Sequence, residues 1–250
     1  NIIEKRDTAL NVLWNRTASN VNMIFSNIGP QGGRSSIQVG NNGHLVLAGY
    51  ENSAGGSTVF DALTLEFSAS SYCDELFVSS MDTSGSALWV RTLDSSSTYQ
   101  ELTPKVAVND AGEVYLGLYS EGDTLIFGGD QLSIGPSVTP YTAWLKYDAA
   151  GTPQWAVGCL ATWGADPSDI AINAQQEALI CGTSRGPGLL GNHPVLTNGL
   201  GVSVPYVAKL DPAGNVQWYK SSDAVANAKF ASIASCPNGD YAMTGSFPTG

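Results

Sequence analysis

Charge is scarce in this chain. Only 13% of its 250 residues are Asp, Glu, Lys or Arg, about half the roughly 25% of an ordinary globular protein. Basic residues are the scarcer sign: 11 Lys and Arg stand against 22 Asp and Glu, a formal net charge of −11. With no basic patch, neither nucleic-acid phosphates nor anionic lipid are expected partners. Histidine occurs only as His44 and His193. Neither has a second histidine or a carboxylate at ligand spacing, so no metal site is expected. The four cysteines, Cys73, Cys159, Cys181 and Cys236, form no CxxC pair and match no zinc spacing. They read as small buried apolar residues; were all four paired, three connectivities would stay open. No apolar run approaches the roughly 18–20 residues of a membrane span, so no direct membrane insertion is expected. No stretch carries a helical apolar period. The chain lacks both an initiator Met and a visible signal peptide, and reads as a mature or trimmed piece of something longer.

What the sequence has is Gly, 28 residues of it, with frequent Ser and Thr, a composition suited to strands and turns. It also has repeats. Tyr206–Lys220 reads YVAKLDPAGNVQWYK, two apolar runs around an Asp-Pro-Ala-Gly-Asn turn. Thr142–Val157, Phe77–Arg91 and a worn copy at Ile2–Arg16 repeat it. In all four the acid lies seven residues before a tryptophan: Asp7/Trp14, Asp82/Trp89, Asp148/Trp155 and Asp211/Trp218. A second hairpin unit alternates with the first at Ile37–Tyr50, Val106–Tyr119, Ile170–Ser184 and Ile233–Phe247. Asn, Asp and Gly in its turns tolerate the positive φ that tight hairpins need. Each copy ends near a glycine, Gly49, Gly117, Gly182 and Gly245, in steps of 68, 65 and 63 residues. Four strands per period without helices predict an all-β chain, a β-propeller of four-stranded antiparallel blades. About four blades are represented, as approximate units 1–32 (partial), 33–102, 103–166, 167–229 and 230–250 (partial). The repeat tryptophans are expected to fill gaps between blades. Trp144 falls within a strand; Trp163 lies in the link ATWGADPSD, where an exposed indole is a binding candidate.

The alternation of I-A-V-N-x-x-G-x-V-Y-x-x-G with V-A-K-L-D-x-x-G-N-x-x-W resembles the β-propeller repeat of secreted and cell-surface bacterial proteins. Val207–Trp218 is nearly that repeat's consensus, and the resemblance covers most of the chain from about Ile37. It weakens at the N-terminus, where Leu10 stands in the place of Gly85, Gly151 and Gly214. It implies a propeller in an extracellular or surface setting, serving as scaffold, adhesion or interaction module. Quinoprotein-type propellers carry a similar turn, but with eight residues from acid to tryptophan. One residue changes turn type and register, so no quinone is carried over and no cofactor is expected. The chain begins inside the second hairpin and stops after the first. Either Ile2–Arg16 completes a blade with Ile233–Phe247 and four blades close, or the chain is part of a larger propeller, the reading favoured by the abrupt end.

No catalytic set is expected. Gly182-Thr183-Ser184-Arg185-Gly186 matches G-x-S-x-G, but the hydrolase elbow needs a following helix and His and Asp partners. Loop acids are plentiful: Glu121, Asp123 and Asp130, Asp166 and Asp169, Asp74 and Glu75. They read as solvated, without an EF-hand or nonapeptide calcium pattern. Asn15-Arg16-Thr17 is a single glycosylation sequon. The expected function is a non-catalytic extracellular scaffold that binds a protein of a surface assembly or a glycan. The rivals are a propeller glycosidase using two loop carboxylates and a purely structural repeat of an adhesin or filament.

Overall fold

The computed structural model describes residues 2–17, 23–24, 37–52, 56–60, 63–67, 74–95, 104–120, 124–127, 130–133, 141–195, 203–221 and 228–246. These residues are all strand and turn, with no helix among them. In particular, none holds a helix long and apolar enough to cross a membrane. An N-terminal hairpin, β1 (Ile2–Arg6) and β2 (Val12–Thr17), stands as its own two-stranded sheet. The first full repeat supplies β3 (Met23–Ile24) and β4 (Ile37–Val39), both pairing with β5 (Leu45–Asn52). A separate hairpin follows, β6 (Gly56–Phe60) and β7 (Leu63–Phe67), then β8 (Asp74–Met81) beside β5, and β9 (Ala87–Ser95) beside β8. The next repeat lays down β10 (Lys105–Val108), β11 (Val114–Ser120), β12 (Thr124–Phe127), β13 (Asp130–Ser133), β14 (Tyr141–Tyr147) and β15 (Pro153–Ala161). The third has β16 (Ala165–Ile172), β17 (Ala178–Arg185), β18 (Gly188–Leu190), β19 (His193–Val195), β20 (Ser203–Leu210) and β21 (Val216–Ser221). A last hairpin is β22 (Lys229–Ser235) with β23 (Tyr241–Ser246). Every strand pairing among the described residues is antiparallel, as in β8–β9 and β20–β21.

Two expectations need correction. The sheets are not uniformly four-stranded. Among the described residues only β16-β17-β20-β21 has four strands; two other sheets have six (β10-β11-β14-β15-β18-β19) and seven, and three have two. The extra strands come from the Gly- and Pro-rich connections. β12–β13 adds to β9, and β18–β19 adds to β15, so a hairpin of one repeat covers the outer edge of the preceding sheet. An unpaired edge strand exposes a row of amides and carbonyls, and these hairpins pair part of it. Nor do Ile2–Thr17 and Lys229–Ser246 join into one sheet: they remain separate hairpins, and the described residues form no closed ring.

The acid-to-tryptophan spacing has a local cause. Asp211 Oδ1 accepts the amides of Ala213 (3.0 Å) and Asn215 (2.8 Å), and the Gly214 amide donates to the Asp211 carbonyl at 2.9 Å. Gly214 sits at φ 86°, the left-handed region that glycine enters without steric cost. One extra residue then bulges: Lys209 faces Trp218 while Leu210 faces Val216. The same register shift recurs at Lys5/Arg6, Ser80/Met81 and Lys146/Tyr147. Turn plus bulge thus consumes the seven residues and sets the tryptophan on the next paired position.

Three of the four repeat tryptophans cross to the following repeat. Trp14, Trp89 and Trp155 donate Nε1–H to the carbonyls of Thr83 (3.1 Å), Ala149 (2.9 Å) and Pro212 (3.0 Å). Their rings lie on the turn glycines: a β-carbon built on Gly85, Gly151 or Gly214 would stand 2.7, 2.5 or 2.7 Å from the indole. The other glycines answer to aromatics too. Gly49, Gly117 and Gly182 pair across the strand with Phe77, Trp144 and Tyr206, all fully buried. The apolar core is a series of layers, each between successive sheets. Val46, Leu76 and Trp89 meet Val114, Leu116 and Leu145 in one layer; Tyr115, Trp144 and Cys159 meet Ile170, Ile180 and Tyr206 in the next. Strand β14 is buried on both faces, with Ala143, Leu145 and Tyr147 in the first layer and Trp144 in the second.

Gly214→Ala is expected to lower stability by about 2–4 kcal/mol, combining left-handed strain with loss of the indole contact. Trp155→Phe, which keeps a ring but not the donor, costs about 1 kcal/mol. Urea unfolding midpoints at unchanged m-value check both. Acid adds a second expectation. The Asn215 side chain and the turn amides hold Asp211 below the ordinary aspartate value, against a smaller opposing effect of burial. A depressed carboxylate stabilises the fold above the unfolded value of about 3.9 and loses that contribution as pH falls through the folded value. Asp211→Asn should therefore flatten the stability curve below about pH 4 relative to wild type; an unchanged slope in acid melts would remove the turn from the acid response.

Candidate functional site

The first strand of each repeat, β4, β10, β16 and β22, borders one cavity of about 780 Å³. Carboxamides dominate its polar lining: Gln38, Asn41, Asn109, Asn173 and Gln176, joined by Lys105, Asp110, Asp169 and Ser235. The asparagines are there because the turns need them. Asn173 Oδ1 accepts the amides of Gln175 (3.0 Å) and Glu177 (2.9 Å), and Asn109 Oδ1 accepts that of Glu113 (2.9 Å). Turn chemistry thus places amide side chains around the mouth.

Side chains also tie each inner strand to the next. Asn41 Nδ2 donates to Asp110, and Asn109 Nδ2 to Gln176. Asp169 Oδ2 accepts from Ser232 Oγ (2.8 Å) and from the Ile233 amide (2.9 Å), and Ser235 Oγ donates to the Ile172 carbonyl at 2.7 Å. Lys105 and Asp169 occupy matching positions, just before Val106 and Ile170. Both are buried, at 6% and 5% exposure. Lys105 makes no hydrogen bond or ion pair among the described residues, a costly state for a buried ammonium. Burial pushes Lys105 below the usual lysine range, with the Asp169 carboxylate and Cys181 partly opposing.

None of the repeat positions read from the sequence lines this cavity. Asp7, Asp82, Asp148 and Asp211 head hairpin turns; Trp14, Trp89, Trp155 and Trp218 and Gly49, Gly117, Gly182 and Gly245 serve the packing between strands and sheets. Ser184 is fully buried inside β17, opposite Ala165 and Val204, so no nucleophile elbow exists there. Asp166 and Asp169 lie within β16 rather than in a link, and Arg185 binds Asp166 at 2.8 Å. Asp74 and Glu75 open β8, Asp130 opens β13, and Glu121, Asp123 and Cys73 lie outside the described residues. Trp163 is exposed in the turn between β15 and β16, and its ring lies over Gly186. Cys159, Cys181 and Cys236 are free thiols. Burial pushes the Cys159 thiol up to about 12, which leaves it unreactive at neutral pH. No group of three or more metal-ligating side chains occurs among the described residues.

Asp169 reads in the sequence as one more loop acid, and Lys105 is not singled out there. The available signal was position: in a chain short of charge, both fall at the same step of the repeat. The pH midpoint for acylation of Lys105 is expected to lie below the roughly 10.4 of free lysine. Asp169→Asn should move it lower still, because the carboxylate favours the charged amine. Competitive labelling read by peptide mass spectrometry checks this; an upward shift in the variant would separate the two groups. Comparison with protein-family models and with curated proteins finds no match for the chain.

Proposed function

We propose that this chain is a run of β-propeller blades from an extracellular or cell-surface protein, acting as a non-catalytic scaffold that holds a glycan in its central cavity. The observation that carries this reading is the convergence of four successive inner strands on one polar cavity rich in carboxamides. Amides offer a donor and an acceptor in one plane, the pattern that vicinal hydroxyls satisfy. The propeller reading is supported by the head-to-tail order of sheets with an inner first strand in each, and by the resemblance of the repeat to that of surface proteins. In that reading the added hairpins decorate the outer strands, and further blades complete the ring.

The glycosidase alternative asks for two carboxyls about 5–10 Å apart. The cavity holds Asp110 and Asp169. Asp110 lies in the hairpin turn after β10, where the Asn41 side chain donates to it, whereas Asp169 lies within β16 and accepts from Ser232 and the Ile233 amide. Both carboxylates are thus engaged by neighbouring repeats, which suits structural and binding roles better than an acid pair astride one bond.

Calorimetric titration with a panel of soluble oligosaccharides tests the proposal. Gln38 makes no hydrogen bond within the described residues and Lys105 no ion pair, so Gln38→Ala and Lys105→Met should each weaken binding by about ten-fold, or ~1.4 kcal/mol, without unfolding the protein. Release of new reducing ends, abolished by Asp169→Asn, would instead establish hydrolysis. Absence of binding across the panel would leave the cavity without a glycan role.

A further inference from the structure

We propose that Trp218 is the donor half of a fourth inter-repeat joint, whose acceptor is an Asp-x-x-Gly hairpin turn of a further repeat, and that Leu10 bars the chain's own first turn from that role. Three joints are complete, each with an indole on a turn glycine and an Nε1–H to carbonyl bond of 2.9–3.1 Å. Trp218 has the same register as their donors: it stands opposite Lys209 just after the bulge, as Trp155 stands opposite Lys146 and Trp89 opposite Ser80. Yet its ring stacks on Tyr241, at 5.6 Å and 29°, and packs beside Leu179, Val207 and Ile233 rather than on a turn glycine, and its Nε1–H has no hydrogen-bond partner among the described residues.

Among the described Asp-headed hairpin turns, one has no tryptophan on it. Asp7 accepts the amides of Ala9 and Asn11 at 2.9 Å, as its counterparts do, and the Leu10 amide donates to the Asp7 carbonyl at 3.0 Å. But the glycine position is Leu10, at φ 67° and 71% exposed. A left-handed leucine costs roughly 1–2 kcal/mol, and an exposed one recovers nothing from packing. Its effect is steric. A β-carbon at the three glycine turns would stand 2.5–2.7 Å from the seated indole, so no indole can seat on Leu10 in that way. The glycine turns at Gly85, Gly151 and Gly214 are filled from within the chain. Among the described residues, neither this chain nor a second copy therefore offers Trp218 a vacant Asp-x-x-Gly turn, and head-to-tail growth of copies through that joint, which an unguarded pair of ends would permit, is blocked.

Leu10→Gly should open the acceptor. Sedimentation equilibrium is expected to show self-association tightened by at least about ten-fold, equivalent to ~1.4 kcal/mol. If the turn instead meets Trp218 of its own chain, the thermal midpoint rises by about 2–4 °C at constant mass. The substitution also relieves backbone strain, so the decisive quantity is its effect with and without Trp218→Ala, or Trp218→Phe should the alanine variant fail to fold. The gain should vanish in the Trp218→Ala background and shrink with Trp218→Phe. Leu10→Ala, which keeps the β-carbon, should neither associate nor gain a Trp218-dependent rise. Equal gains with and without Trp218, or equal behaviour of Leu10→Ala and Leu10→Gly, would overturn the proposal.

Discussion

The contact on which the repeats depend is an indole lying flat on a glycine turn. It couples two levels of structure in one place. Locally, the Asp carboxylate fixes the turn, the left-handed glycine presents bare backbone, and the residue after the Asp turns its carbonyl outward. Between repeats, the preceding tryptophan covers that backbone and takes the carbonyl as its hydrogen-bond acceptor. An indole buried with its N–H satisfied supplies area without an orphaned donor. Neither half works alone: without the turn the indole has no flat seat, and without the indole the glycine is an entropic cost with no compensation. The joint has a direction, tryptophan forward and turn back, so the sheets are ordered in series and each core layer belongs to two neighbours only. Such a chain is quasi-one-dimensional in its energetics.

Glycine elsewhere follows the same logic. Gly117 in β11 faces Trp144 in β14, and Gly182 in β17 faces Tyr206 in β20. An aromatic side chain laid across a strand glycine fills the space a β-carbon would take. The two aromatics are then brought together across the layer, where Trp144 Nε1–H meets the Tyr206 hydroxyl at 3.3 Å. This explains a core built on few large residues: the glycines make room, and the aromatics use it.

How much of this was legible in sequence follows from the distance over which each signal acts. The Asp-to-Trp spacing is a local consequence of turn and bulge, so it appears as a short repeated string. The all-β class and the two alternating hairpins were readable for the same reason. The strand glycines were visible but not their purpose, because Phe77, Trp144 and Tyr206 lie 24 to 28 residues beyond them, past connections of unequal length. The hairpins within those connections were not readable. GPGLLGNHPVLTNGLG looks like loop, and β18–β19 is held by pairing with β15 of the preceding repeat rather than by strong local propensity. The sheets consequently have more strands than the period alone predicts. Pairing of that kind is decided by an available edge, which no local window contains.

The cavity was hidden for the opposite reason. Its chemistry lies where the repeats differ. Residues that recur in every copy are committed to turns and joints, and they are spent on structure. The step before the first strand instead reads Lys105, Asp169 and Ser232 in successive repeats. A strictly repeated charge there would set like charges side by side in a buried ring, at a cost that low dielectric makes severe. Alternating a cation, an anion and a hydroxyl removes that repulsion and leaves Asp169 bound to Ser232 and the Ile233 amide. It also leaves the Lys105 ammonium without a hydrogen bond or ion pair among the described residues. In a repeat protein, then, the period identifies what holds the array together, and departures from the period at inward positions mark where a ligand is met. On the proposed reading, the inner strands rather than the repeated tryptophans carry the contacts to a ligand.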